Sequence, residues 1–236
     1  MGFLPACNAA TGTSDTESAL EVVTLGTTPA LTHWLPLVAE CADPIPNFGV
    51  YTKLLSDEAL SDEPLDLTLR LGAPKTTDPY AAVMGWEELT LVGGPEIPVT
   101  ALSLESVQAI FTGEVTNWAD VPEAQLSGDA PNQSITVLSY PEGDSLRQAF
   151  SDIYLRSNGL ASDLTLFSSF EGQEALFSAH PAALSYSLAN QVPNDAIILP
   201  ITDLGPAASQ IYVLAITNSK PEGNLLQLLL CLQSKQ

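Results

Sequence analysis

The twenty residues from Leu102 to Val121, LSLESVQAIFTGEVTNWADV, constrain the fold more than any other stretch of this chain. Ser103 is placed to cap a helix, Glu105 falls in its positively polarised first turn, and Leu104, Val107, Ile110 and Phe111 recur at helical spacing on one face. Leu102, just ahead of the cap, can staple onto Val107. Gly113 supplies a residue that closes a helix in the left-handed conformation without a Cβ clash. A polar turn then leads to Trp118, whose large ring is expected in the interior. The segment reads as helix, stop and buried anchor, and it needs a core to bury its apolar face.

Such a core is within reach. The chain has 236 residues, 45% of them apolar and 15% charged, which is enough for one large domain or two small lobes. Seven Lys and Arg stand against 28 Asp and Glu, a formal charge of −21. This balance argues against nucleic acid, whose phosphates are gripped by clustered basic residues, and against anionic membrane surfaces. It leaves a small anion possible, because salt screens repulsion beyond about 10 Å and local groups then decide. The longest apolar run, Leu225 to Leu230, is too short to span a bilayer.

Along the chain, Glu21 to Leu25 is β-prone and breaks at Gly26, after which Thr27, Thr28 and Pro29 lead into a helix predicted over Ala30 to Cys41. A strand-turn-helix of this kind offers free N–H groups and two hydroxyls to an anion, although capping alone also explains either threonine. A strand over Asn47 to Thr52, a helix over Leu54 to Leu60 and a strand over Leu65 to Leu69 follow, an alternation that implies a parallel sheet flanked by helices. Arg70 stands at the end of that strand, where ligands of open α/β sheets collect, or is a solvated surface arginine. Tyr80 to Val92 reads as two strands or one bent strand, with Glu87 and Glu88 in an exposed turn. Pro122 to Gln133 reads as a polar loop and Ser134 to Ser139 as a strand. A helix headed by Tyr140 to Phe150 is predicted to run to about Ser157, and another spans Phe167 to Ala179. Ala182 to Tyr186, Ile197 to Pro200 and Ile211 to Ile216 are strands, and Pro221 to Cys231 is a closing helix.

The order of residues in Leu102 to Val121 resembles the L-S/T-x-E-x-x-x-x-I-F-x-G-x-x-x-x-W signature of phosphate-type periplasmic solute-binding proteins, and the resemblance extends over roughly Glu21 to Gln233. It implies an α/β, two-lobed, periplasmic-binding-protein-like fold of type II, with mixed sheets flanked by helices. Residues 19–92 plus 200–236 would form the first lobe, 93–199 the second, and 1–18 a flexible N-terminal tether. The implied function is an extracytoplasmic receptor that binds phosphate or a similar oxyanion between its lobes as a monomer, without cofactor or metal, and hands it to an ABC permease.

The ligand set that the resemblance implies is Thr27, Thr28, Asp66, Arg70, Asp144, Ser145 and Arg147. Thr27 and Thr28 stand in for a G-S-T-type turn. Asp66 to Arg70 is similar to a D-I-x-x-x-S-R sequence, with Leu69 where the serine belongs. Tyr140 to Phe150 is similar to R-x-x-G-S-G-T-R-x-x-F at Gly143, Arg147 and Phe150. Asp144, Ser145 and Leu146 replace its Ser, Gly and Thr, and Tyr140 stands where an arginine often points at the anion. Asp144 is then a helix N-cap or, like Asp66, an acceptor for a ligand proton. This altered clamp keeps a second expectation open, a ligand-free or regulatory descendant that acts through protein contacts.

Enzyme motifs are lacking: there is no G-x-S-x-G elbow, P-loop, H-E-x-x-H or C-x-x-C, and His33 and His180 are the only histidines. Three cysteines cannot all pair internally. Leu4-Pro5-Ala6-Cys7 is similar to the tail of a bacterial lipoprotein cleavage box, which would lipidate Cys7, or is an ordinary start with a stray cysteine. Cys41 and Cys231 either bridge or remain reduced, buried thiols.

Overall fold

The computed structural model describes residues 19–126, 131–156 and 158–235. The tether, Cys7 and Ser157 lie outside the described residues. Among the described residues nine strands carry the architecture: six run in the order β2-β1-β3-β9-β4-β7, β8 joins the same sheet on β4, and two form a small separate sheet. β1 (Glu21–Thr27) lies parallel to β2 (Phe48–Leu54) and to β3 (Leu67–Leu71), the pairing expected of β-α-β alternation. β9 (Gln210–Thr217) returns antiparallel between β3 and β4 (Tyr80–Gly93).

β4 is the strand that joins the two halves. Its residues Tyr80 to Glu88 pair with β9, whereas Leu89 to Gly93 pair with β7 (Leu184–Leu188), and Leu91 to Gly93 also pair with β8 (Ile197–Leu199). It is thus one strand of fourteen residues, with a register shift between Val83 and Gly85. That shift reverses which side chains beyond it turn inward. Glu87 is buried inside the strand and only Glu88 faces water, so the two do not form an exposed turn.

On one half, α1 (Leu35–Ala42) packs against α7 (Gly223–Ser234), and the Cys41–Cys231 disulfide joins them. The predicted helix from Ala30 starts instead as a 3-10 turn over Pro29–Trp34. Pro36 has no N–H to donate into that turn, so the α-helical ladder starts only at Leu35.

The other half is built around α3 (Leu104–Phe111). Ser103 caps it by accepting the Ser106 N–H, and Leu104, Val107, Ile110 and Phe111 are all buried. Gly113 takes φ +82°, and Trp118 is fully buried with its Nε1 donating to the Ala182 carbonyl. Phe111 meets Phe150 at 4.4 Å, and Phe150 stacks on Tyr186 at 4.1 Å. Pro122 to Gln133 is not wholly a loop, since Pro122–Leu126 forms a helical turn, α4. Only Leu138–Ser139 of the strand expected from Ser134 is regular, as β5, paired parallel to β6 (Thr165–Leu166). α6 (Phe170–Ala179) begins three residues later than predicted, where Ser169 caps it through the Gly172 N–H.

Candidate functional site

A cleft of about 1170 Å3 opens between β3, the 72–79 segment, α2 (Asp57–Asp62) and α5 (Ser145–Phe150). Local sequence explains both short helices that wall it. Ser56 caps α2 through the Ala59 N–H, so Asp57 falls at the first helical position, where a carboxylate suits the helix dipole. Gly143 takes φ +87°, and Asp144 then caps α5 by accepting the Leu146 and Arg147 N–H groups at 2.8 and 3.4 Å. Ser145 N–H, the next free donor, points across the cleft to Asp57 Oδ2 at 2.8 Å.

The sequence-derived residues divide into three groups. Asp66, Arg70 and Ser145 line the cleft. Arg70 is engaged: its Nη2 meets Asp78 Oδ2 at 2.7 Å and the Ala73 carbonyl at 3.1 Å, and Nη1 donates to the Leu71 carbonyl. Asp66 accepts the Thr24 N–H. Thr27 and Thr28 are buried and do not line the cleft, Thr27 donating to the Leu69 carbonyl and Thr28 Oγ1 having no partner among the described residues. Asp144 and Arg147 lie outside the lining as well, Asp144 as the N-cap and Arg147 donating to the Tyr140 carbonyl at 3.0 Å. Leu69, Leu146 and Tyr140, which replace polar family positions, are all buried.

Two contributors were missed by sequence reasoning. Asp57 falls in the middle of the helix predicted over Leu54 to Leu60, and nothing local announces a contact 88 residues away. Lys75 lines the cleft from a loop of turn residues, and its N–H donates to the Asp78 carboxylate that holds Arg70. Acids predominate in the lining: among the described residues, Asp57, Glu58, Glu63, Asp66, Asp78 and Asp152 stand against Arg70 and Lys75.

This crowding shifts the carboxyls. Burial raises Asp57 above the usual carboxylate range against the opposing pull of the Ser145 N–H, Lys75 and Arg70. Asp144 is pushed up to about 6, chiefly by burial and further by the charge of Asp57. A carboxyl raised on folding holds its proton in the folded state over a window where the unfolded chain has lost it. Between the ordinary value of 3.8 and about 6, stability therefore falls as pH rises. The melting temperature is expected to be a few degrees higher at pH 5 than at pH 7, about 3–5 °C. Asp144→Asn, which can still cap, should flatten that slope. Scanning calorimetry at both pH values checks it, and an equal slope in wild type and variant refutes the assignment.

A family profile described as a PBP superfamily domain matches residues 54–227, about three-quarters of the chain and the whole of the cleft. The chain belongs to the PBP superfamily. Among solved structures, this PBP domain is similar to an ABC-type phosphate transport receptor from Vibrio cholerae, at 14% identity and a TM-score of 0.69, covering 90% of this chain and 93% of that one. It is also similar to a phosphate ABC transporter substrate-binding protein with bound phosphate, described as putative, from Clostridium perfringens, at 14% identity and a TM-score of 0.70, covering 89% and 92%. A third is the CcmR regulatory domain of Synechocystis PCC6803 in complex with 2-PG, at 13% identity and a TM-score of 0.65, covering 91% and 97%. At these identities the likeness establishes the two-lobed, phosphate-receptor-like fold and nothing further. No curated protein matches the chain by sequence.

Proposed function

We propose that this PBP domain is an extracytoplasmic solute receptor that holds phosphate or a similar oxyanion in the cleft between α2, β3 and α5 and delivers it, as a monomer, to an ABC permease. The observation that carries the reading is the Ser145 N–H, which already holds a carboxylate oxygen at 2.8 Å beside the two cleft cations, Arg70 and Lys75. A phosphate oxygen can replace that carboxylate oxygen in kind, and the guanidinium of Arg70 suits a tetrahedral anion. Asp66, or Asp144 once the cleft closes, would accept a proton from the ligand, which favours protonated phosphate over sulfate. Thr27, Thr28 and Arg147 would complete the shell on closure. We further assign 19–92 plus 200–236 to one lobe and 93–199 to the other, a division supported by the change of partner strands within β4. The Cys41–Cys231 bridge supports an oxidising, extracytoplasmic site of action, and a lipid on Cys7 would hold the protein at the membrane.

Calorimetry with phosphate, sulfate, molybdate and tungstate tests the receptor. Phosphate should bind the wild type, and Arg70→Ala or Lys75→Ala should weaken it at least tenfold. Unaltered affinity in both variants refutes the site. A second reading, a ligand-free or regulatory descendant, is favoured by one specific observation: Arg70 is already neutralised by Asp78 while Asp57 occupies the Ser145 N–H. Absence of heat with every oxyanion would move the assignment there.

A further inference from the structure

The contact between Asp57 and Ser145 is unusual in what it joins. Asp57 stands at the start of α2 and Ser145 at the start of α5, on opposite walls of the cleft, and both line it. The carboxylate is not the cap of its own helix, a place that Ser56 fills. It accepts, at 2.8 Å, the one early N–H of α5 that Asp144 leaves free, since Asp144 Oδ1 takes the N–H groups of Leu146 and Arg147. Two carboxylates thus converge on one helix start, and each opposes the other's charge.

We infer that Asp57 is a proton-sensitive latch: its carboxylate holds α2 against α5 across the cleft, and the charge on Asp144 sets how firmly it holds. The groups facing Asp57 are Asp144 and Ser145 from α5 and Lys75 and Arg70 from the 70–79 segment, with Glu58 beside it on α2. Those facing Asp144 are Asp57, Tyr140 and Tyr186. Lys75 and Arg70 favour the charged latch, although Arg70 is shared with Asp78, and Asp144 is the group that opposes it. When Asp144 takes a proton, the repulsion disappears while Asp57 keeps its hydrogen bond to Ser145. Above neutral pH both carboxyls are ionised and the latch is loosest. The latch as an internal contact stands by itself; only its displacement by a solute oxygen rests on the receptor reading.

Hydrogen exchange of the full chain, resolved at the Ser145 amide and corrected for intrinsic rates, tests it without any ligand. In the wild type, Ser145 should be about twofold more protected at pH 6 than at pH 8, the most that protonation of a group titrating near 6 can supply at that pH. Asp57→Ala should lose that protection at both pH values, while the amides of α3 and the β4–β9 pairing keep theirs. Asp144→Asn should be protected at both. Asp57→Asn, which retains an acceptor oxygen and the packing, should fall between and is the control for folding. Protection at Ser145 that is unchanged in Asp57→Ala, or that does not vary with pH in the wild type, overturns the latch. Addition of inorganic phosphate is a separate arm: release of Asp57 by phosphate supports displacement. A pH-dependent latch that ignores phosphate rejects the receptor reading for that anion while leaving the latch in place.

Discussion

Reduction of the Cys41–Cys231 bridge is expected to lower the melting temperature by roughly 10 °C, one of the two largest effects in this molecule. The two cysteines lie 190 residues apart in sequence, with Cα atoms 5.7 Å apart, so the bridge closes nearly the whole described chain into a loop. For a loop of that length the chain-entropy model gives about 5 kcal/mol of constraint on the unfolded state, and bridges of this kind deliver about 2–5 kcal/mol in practice. The bridge also fastens α7, the last element, onto α1, near the first. Without it, α7 is held by the burial of Leu228, Leu229 and Leu232 and by the hydrogen bonds of Asn224 to Glu21 and of Gln233 to the Val83 carbonyl. Calorimetry with and without a phosphine reductant, and of Cys41→Ser/Cys231→Ser, measures the effect. Thiol titration of the unfolded, unreduced chain should find at most one free thiol. Three free thiols, or an unchanged melting temperature, refute the bridge.

The parts of the fold legible in the sequence were those whose determinants are local. Ser103, the 104-107-110-111 stripe, Gly113 and Trp118 each act within a turn or two of themselves, and each sits where that physics requires. The order of those residues also carried the family resemblance, which the profile match over 54–227 bears out. The paired strands β1, β2 and β3 were readable because parallel strands separated by helices leave a period in the chain. Failures came where a distant or irregular feature overrode the local pattern. Pro36 delays α1, and the bulge before Gly85 reverses which side chains of β4 turn inward, so Trp86 is exposed while Glu87 is buried. At the cleft, the charge pattern was visible but its pairing was not. Arg70 could be picked as a cation at a strand end, yet its engagement with Asp78, and that of Ser145 with Asp57, depend on how separate segments are brought together.

Glu87→Ala is expected to destabilise the protein by about 3 kcal/mol, close to the bridge in effect, because this one carboxylate gathers three donors from two other segments. Oε1 accepts Trp34 Nε1 at 2.6 Å and His33 Nε2 at 2.7 Å, and Oε2 accepts Asn190 Nδ2 at 2.9 Å. Gln191 completes the cluster, its Nε2 donating to His33 Nδ1 and to the Ala30 carbonyl. An amide nitrogen can only donate, so His33 Nδ1 accepts and its Nε2 carries the hydrogen given to Glu87. Burial pushes the Glu87 carboxyl up, but the hydrogen bonds of His33, Trp34 and Asn190 outweigh it and hold the group below the usual carboxylate range. Its stabilising contribution is present above the ordinary value of 4.5 and is lost as pH falls below it, opposite in sign to Asp57 and Asp144. Removal strands the Trp34 N–H in a site where that ring is 2% exposed, at a cost of about 1–3 kcal/mol by itself. The cluster ties the Pro29–Trp34 turn and the loop after β7 to β4 next to Glu88 and Leu89, where β4 changes partners between the two halves. Glu87→Ala should therefore lower the melting temperature by about 6–12 °C and speed hydrogen exchange at Leu89 to Leu91, whereas Glu87→Gln, which keeps an acceptor for Trp34, should lose about half as much. A melting temperature within 1 °C of wild type in Glu87→Ala would show that the cluster holds nothing together.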